Sequence, residues 1–438
     1  MKPNYLKNIL FSEIKSIAEK ANDYCLSPGK DFIRNRKLSF ETVMKIVIGM
    51  ENRSLTNEII DAFHSNPNLP STSAFIQQRS KIKADAFKAV FDGFTSKIIK
   101  QNEADIRVLA VDGSDIQIAT NPLDSSSYYP SVNGQKPYNL LHLNALFDLK
   151  QNIYTDVIIQ GRKESNEYLA LQEMVDRSNI KKALVIADRG YESYNNMAHI
   201  QEKGWYFLIR IKDGKNGMKE GLVLPKSDEF DEKISLKLTR RQTKETKALL
   251  KDKNHYRFIS STCTFDYLAE KSKKHDPLEF YTLRFRIVRF KVTEGLYETV
   301  ITNLDATAYP PDKLKELYAS RWGIETSFRD LKYTVGMLNF HSKKVMCIHQ
   351  EIYAHLIMYN FAEMITSHVV IKKKQRKYIY KANFSVAAHM CRLFYHGRTT
   401  SPNLETIISK NIIPIRPDRH RERKLTVKAF HGFTYRVS

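Results

Sequence analysis

The first hundred residues repeat apolar side chains at helical spacing. Leu6, Ile9, Leu10, Ile14 and Ile17 share one face, as do Val43, Ile46, Val47 and Met50, and no alternating stretch interrupts them. A cluster of Asn, Pro and Ser at 66–71 breaks the pattern, after which STSAFIQQRSKIKADAF opens on helix-capping residues. The segment predicts a short helix carrying Arg79, Lys81 and Lys83, which suits a small helical DNA-binding module. For this stretch alone, an ordinary helical subdomain with a solvated basic face is the plainer account.

From residue 106 the period changes. An apolar run at 106–111 ends in Asp112, and two runs at 140–147 and 154–159 flank a polar turn and predict a hairpin. A helix over 166–177 follows, with Tyr168, Leu169, Leu171, Met174 and Val175 available for its buried face, and then a second apolar run at 183–187 ends in Asp188. A helix at 194–203 leads to a strand at 205–211. This order predicts an α/β fold, a mixed sheet covered by helices, with Asp112 and Asp188 where central strands end. Residues 213–298 are polar with alternating apolar positions and read as a β-rich insertion. The sheet resumes at 299, Pro310 and Pro311 open a helix running to 333, and an apolar helix spans 345–371. The expected division is a helical DNA-binding domain at 1–100, a catalytic domain in two parts at 101–212 and 299–371, the insertion between them, and a basic segment at 372–438.

Charge changes the picture more than size does. The 438 residues carry 70 Lys plus Arg against 48 Asp plus Glu, a net +22, which favours a polyanionic partner. The segment 372–438 alone holds 16 Lys or Arg and three Asp or Glu, so +13 of that excess lies there. Its Arg416, Arg419, Arg421 and Arg423 suit phosphate binding without base recognition. No run of 18 apolar residues occurs and the N-terminus lacks a signal-peptide core, so the expectation is a cytoplasmic protein with no membrane partner. The four cysteines form no CxxC pair and read as isolated buried thiols, and no HxH or HExxH pattern points to zinc.

The segment YASRWGIETSFRDLK, residues 318–332, carries the candidate chemistry. On a continuous helix Tyr318, Arg321, Glu325 and Lys332 fall within an arc of roughly 60°. Taken alone, a solvated face with helix-stabilising ion pairs explains it. Beside Asp112 and Asp188 the case changes, because three carboxylates on a sheet and a helix across it can hold two divalent ions about 3.5–4 Å apart. Oxygen ligands of this kind select Mg²⁺ or Mn²⁺. Such a pair serves in-line displacement at a phosphodiester, with Arg321 and Lys332 gripping phosphates. Asp115 has the wrong parity to share a strand face with Asp112, Glu192 is a reserve ligand, and Arg189 holds a phosphate or pairs locally.

The spacing Y-x2-R-x3-E-x6-K, matched by Tyr318, Arg321, Glu325 and Lys332, resembles the signature of DDE transposases of the insertion-sequence-four group, whose catalytic domain is ribonuclease H-like. The likeness extends to VDGSDI around Asp112, IADRGYES around Asp188 and the long insertion before the glutamate. It implies a metal triad of Asp112, Asp188 and Glu325 with two Mg²⁺ or Mn²⁺ ions. It also implies DNA contacts from Tyr318, Arg321 and Lys332, to which Arg189 and Trp322 beside the motif residues are added as candidates. The implied partner is double-stranded DNA, both transposon ends and target, and the implied assembly a homo-oligomer, a dimer on DNA, at the bacterial nucleoid. Some members place a tryptophan in the insertion to hold a flipped base. Here the two tryptophans are Trp205 and Trp322, which leaves Tyr256, Phe258, Phe280 or Tyr297 for that task. A nuclease on the same scaffold and a catalytically idle DNA-binding descendant remain the alternatives.

Overall fold

The computed structural model describes residues 1–34, 36–99, 105–132, 134–212, 217–269, 279–371 and 378–415. The cluster Arg416, Arg419, Arg421 and Arg423 lies outside them. Twelve strands are described: β1 Arg107–Ile118, β2 Tyr128–Tyr129, β3 Tyr138–Asp148, β4 Ile153–Gly161, β5 Ala183–Ala187, β6 Tyr206–Arg210, β7 Phe230–Thr239, β8 Tyr256–Phe258, β9 Tyr281–Thr293, β10 Leu296–Thr302, β11 Ile379–Ala382 and β12 Ile412–Ile415.

Ten of these form one sheet. Its first half runs β4-β3-β1-β5-β6, with β1, β3 and β4 antiparallel and β5 and β6 parallel to β1. This order and these directions are those of a ribonuclease H-like sheet. The five residues of β5 are all buried, as expected of a parallel strand covered on both faces. The region expected as an insertion is not a separate body. Its last strand, β10, pairs with β6 on one side and β9 on the other, and β7 and β8 continue outward, so the insertion widens the same sheet.

The two faces of the sheet bury different cores. On one, Leu109, Val111, Val185 and Phe207 pack with the helices Glu167–Arg177 and Tyr194–Glu202 and with insertion residues Leu236 and Leu283. On the other, Ala110, Ile116, Leu143 and Phe147 meet the N-terminal helices and the helix Val345–Thr366. That helix is apolar on every side because it is enclosed on every side. Phe91 and Phe94 of the helix Ala84–Ile98 pack on its Tyr353 and Phe361, Phe394 of the helix Phe384–Tyr395 stacks on Phe361, and Asn360 hydrogen-bonds both backbone groups of Tyr154 in β4. Residues 1–98 therefore close no core of their own; they share one with 345–366 and with part of the basic segment.

Four expectations change. Arg79 is buried, its guanidinium 2.8 Å from Glu351 and hydrogen-bonded to Gln350, so it is no part of a solvated basic face. Lys81 and Lys83 lie beyond the helix Thr72–Arg79, in the turn before Ala84. Tyr168 and Leu169 are exposed, since the buried face of their helix is Ala170, Leu171, Met174 and Val175. Cys263 is exposed, whereas Cys25, Cys347 and Cys391 are buried. No described helix is long and apolar enough to cross a membrane.

Candidate active site

Asp112 lies in mid-strand. Its run looked finished because Gly113, Ser114 and Asp115 are polar, but β1 continues to Ile118 as the partner of β3. What ends near Asp112 is the parallel pairing: β1 meets β5 from Arg107↔Ala183 to Ala110↔Ile186. Two more residues along each strand bring Asp112 level with Asp188, which follows the last residue of β5. Both share parity with Ala110 and Ile186, and so the face covered by the helices Pro311–Ser320 and Trp322–Arg329. Asp188 caps a short 3₁₀ turn, its Oδ1 accepting the Gly190 N–H at 2.7 Å. Asp112 accepts the Gly113 N–H at 2.9 Å. Burial pushes the Asp112 carboxyl up to about 6; Asp188 and Glu325 add to the rise, and the Gly113 N–H and Arg321 oppose it.

Glu325 reaches this face from the covering helix. The expected continuous helix is broken: one helix ends at Ser320, the next starts at Trp322, and Asp330–Val335 forms a π-helical turn closed by Gly336 at φ 100°. Lys332 is therefore off the ideal 100° spacing, and its Nζ donates to the Asp115 carbonyl oxygen at 2.7 Å, tying the turn to β1. Arg321, at the break, lies between two of the carboxylates. Its Nη2 donates to Glu325 Oε1 at 2.9 Å and its Nη1 stands 3.8 Å from Asp112 Oδ2. The guanidinium rests on Trp322, 5.3 Å from the ring centroid, with Tyr318 at 6.0 Å. Tyr318 is 5% exposed and packs among Leu184, Leu208 and Leu314, whereas Trp322 is half exposed. Arg189 projects from the Asp188 turn and is exposed.

Sequence reasoning missed a second cluster beside the first. Asp115 and His142 are cross-strand partners, and His142 Nδ1 stands 2.6 Å from Asp115 Oδ1, Arg162 Nε 3.0 Å from the same oxygen, and Glu167 Oε1 3.0 Å from His142 Nε2. One glycine leaves room for it: a Cβ on Gly113 would stand 2.4 Å from His142 Nε2 and 3.1 Å from Glu167 Oε1. Gly190 does the same for Asp188, since a Cβ there would stand 2.8 Å from Asp188 Oδ1. The pairing register that joins these residues has no local signal, although Asn166, as cap of the Glu167 helix, marks where Glu167 starts. Glu192 is not at the site; its carboxylate accepts the Lys212 and Met218 N–H groups.

A cavity of about 630 Å³ opens beside the Asp188 turn, lined by Tyr168, Leu169, Tyr194, Met218, Phe258 and Phe265. Of the four insertion aromatics considered above, Phe258 lines it. Tyr256 and Phe280 pack edge to face and Arg289 covers Tyr297; Trp205 is buried, its Nε1 donating to the Ile180 carbonyl oxygen.

Among the described residues no three His, Cys, Asp or Glu side chains converge closely enough to hold an ion. The donor set nonetheless fits Mg²⁺ or Mn²⁺: three hard carboxylates from adjacent strands and the helix above them, with a protein cation already between two of them.

The family described as the transposase DDE domain matches residues 103–361, more than half of the chain. The transposase InsG of insertion sequence element IS4 from Escherichia coli (strain K12) is 22% identical over 354 residues, covering 77% of this chain and 72% of that one. The transposase of insertion sequence element IS231F from Bacillus thuringiensis subsp. israelensis is 24% identical over 281 residues, 58% of each chain. A solved piggyBac transposase synaptic complex with hairpin DNA covers 96% of this chain and 88% of its own, at 12% identity and a TM-score of 0.49. The chain belongs to the transposase DDE domain family and is a DNA transposase of the IS4 type.

Proposed function

We propose that this transposase cuts its element free at the ends and joins the released 3′-hydroxyls to target DNA, with Asp112, Asp188 and Glu325 as its metal-binding carboxylates. The observation that supports this most is the placement of the three on one face, where parallel pairing between β1 and β5 ends and the helix Trp322–Arg329 crosses above. Two Mg²⁺ or Mn²⁺ ions held there would activate the attacking oxygen and neutralise charge on the phosphodiester in an in-line displacement. In the first step a water oxygen bonds to phosphorus as the bond to the 3′-oxygen breaks. In the second, that 3′-oxygen attacks a target phosphodiester and displaces another 3′-oxygen.

The cationic residues around the triad bind DNA in this reading. Lys332 and Arg189 meet backbone phosphates, and Arg321 grips one bidentately once it leaves its carboxylates. Trp322 stacks on a base, while buried Tyr318 lines the pocket under Arg321. Double-stranded ends are held by a homodimer in the bacterial cytoplasm, with the helices of 1–100 and the basic segment 372–438 supplying further contacts. The test is incubation of the element's own end duplex with the protein in Mg²⁺, Mn²⁺ or EDTA, with strands resolved. Metal-dependent cuts at the end followed by joined products are expected, and neither with Glu325→Ala. Cuts without joining would favour a nuclease; binding without any cut would favour an idle descendant.

A further inference from the structure

Arg321 stands where the triad needs positive charge, in a setting too incomplete for a purely structural arginine. Its side chain is 8% exposed, one nitrogen donates to Glu325 Oε1 at 2.9 Å and a second stands 3.8 Å from Asp112 Oδ2. Its Nε is buried without a hydrogen-bond partner. A buried donor left unpaired is costly, and a guanidinium offers five donors in a rigid fork that two carboxylates approached at these distances do not satisfy. In this pose the guanidinium keeps donor capacity to spare.

We propose that Arg321 is the resident counter-ion of Asp112 and Glu325: it holds the pair in the metal-free protein, competes with divalent cations for it, and is released to a DNA phosphate when an ion loads. This rests on the triad assigned under Proposed function. The competition is electrostatic. A fixed cation beside both carboxylates repels an incoming divalent ion and occupies the oxygens that ion needs, so removing the charge strengthens metal binding. The same exchange makes metal loading and phosphate binding mutually supportive, because a phosphate that draws Arg321 away vacates both oxygens. One residue thus serves two partners in turn.

The test is Mn²⁺ titration of the full chain without DNA, with free Mn²⁺ read by its electron paramagnetic resonance signal. Wild type, Arg321→Met, Arg321→Lys and Glu325→Ala are compared. Arg321→Met is expected to bind Mn²⁺ about tenfold more tightly than wild type, Arg321→Lys to stay near wild type, and Glu325→Ala to lose the site. Unchanged or weaker binding by Arg321→Met, with the site still lost in Glu325→Ala, overturns the inference and leaves the triad standing. Wild-type binding by Glu325→Ala overturns the triad itself. Arg321→Gln carries the same expectation should Arg321→Met fail to fold. A larger rise in melting temperature on adding Mn²⁺ to the charge-removed variant than to wild type is the second readout.

Discussion

Two of the arginine–glutamate pairs among the described residues, Arg79 with Glu351 and Arg321 with Glu325, are built differently. In the helical layer Arg79 is 2.8 Å from Glu351, with side chains 3% and 2% exposed. Its Nε donates to Gln350 and its Nη2 to the Cys347 carbonyl oxygen, while Glu351 accepts from the His341 backbone and ring. The pair at the sheet face, Arg321 with Glu325, has a similar distance, but the glutamate is a third exposed and the arginine Nε has no partner. The first network is closed, joining the helix Thr72–Arg79 to the helix Val345–Thr366 across 272 residues of chain. The second is open toward a neighbouring carboxylate and solvent. A buried ion pair is thus read by what surrounds it: the Arg79 network is enclosed and satisfied as a strut is, while Arg321 pairs with a glutamate that solvent reaches and stands beside a second carboxylate.

The comparison breaks most visibly in stability. Arg79→Met leaves Glu351 buried and unpaired and is expected to cost about 3–5 kcal/mol in urea unfolding. The double change Arg79→Met with Glu351→Leu should recover most of it. Arg321→Met is expected to stay within about 1 kcal/mol, because Glu325 keeps access to water. Equal losses from the two single changes would erase the distinction drawn here.

Acid sharpens it. Although burial works against the charged form, Arg79 and His341 hold the Glu351 carboxyl down at about 2, from an ordinary 4.5. A depressed carboxylate stabilises the fold above the unfolded value, and that contribution drains as pH falls from about 4.5 towards 2. Glu351→Gln should flatten the stability profile across that window. A slope untouched by Glu351→Gln would remove the closed network as the source of acid sensitivity.

The smallest effect concerns Lys332, which anchors the π-helical turn to the Asp115 carbonyl. Lys332→Ala is expected to reduce the salt slope of end binding by about one phosphate contact. The mirror change Lys97→Ala, on the helical layer, pairs with Glu13 and should leave that slope alone.

Much of this was legible in the chain, and the failures have common causes. The α/β fold and the position of Asp188 followed from the apolar run 183–187, since a strand buried on both faces leaves no polar residue inside it. Asp112 was found but misplaced as a strand end, because local polarity hides pairing that continues on one side only. Arg79 looked solvated since its partner lies 272 residues away, and no periodicity reports a neighbour at that distance. The break at Arg321 and the π-helical turn at Lys332 were invisible because every residue there is compatible with an unbroken helix. The Glu167 and His142 cluster depends on strand register and on Gly113, whose missing side chain makes room. The proposed site sits where these non-local effects meet, which is why its candidate residues stand out in the chain and their arrangement does not.

The most direct measurement is the single-turnover rate of strand cleavage at the element end by Asp112→Asn, Asp188→Asn and Glu325→Gln, with end binding measured on the same preparations. All three are expected to lose at least about a thousandfold in rate, more than 4 kcal/mol of transition-state stabilisation, while binding the end duplex as wild type does. Cleavage retained by any one of them would contradict the assignment of that carboxylate, and retention by all three would contradict the account.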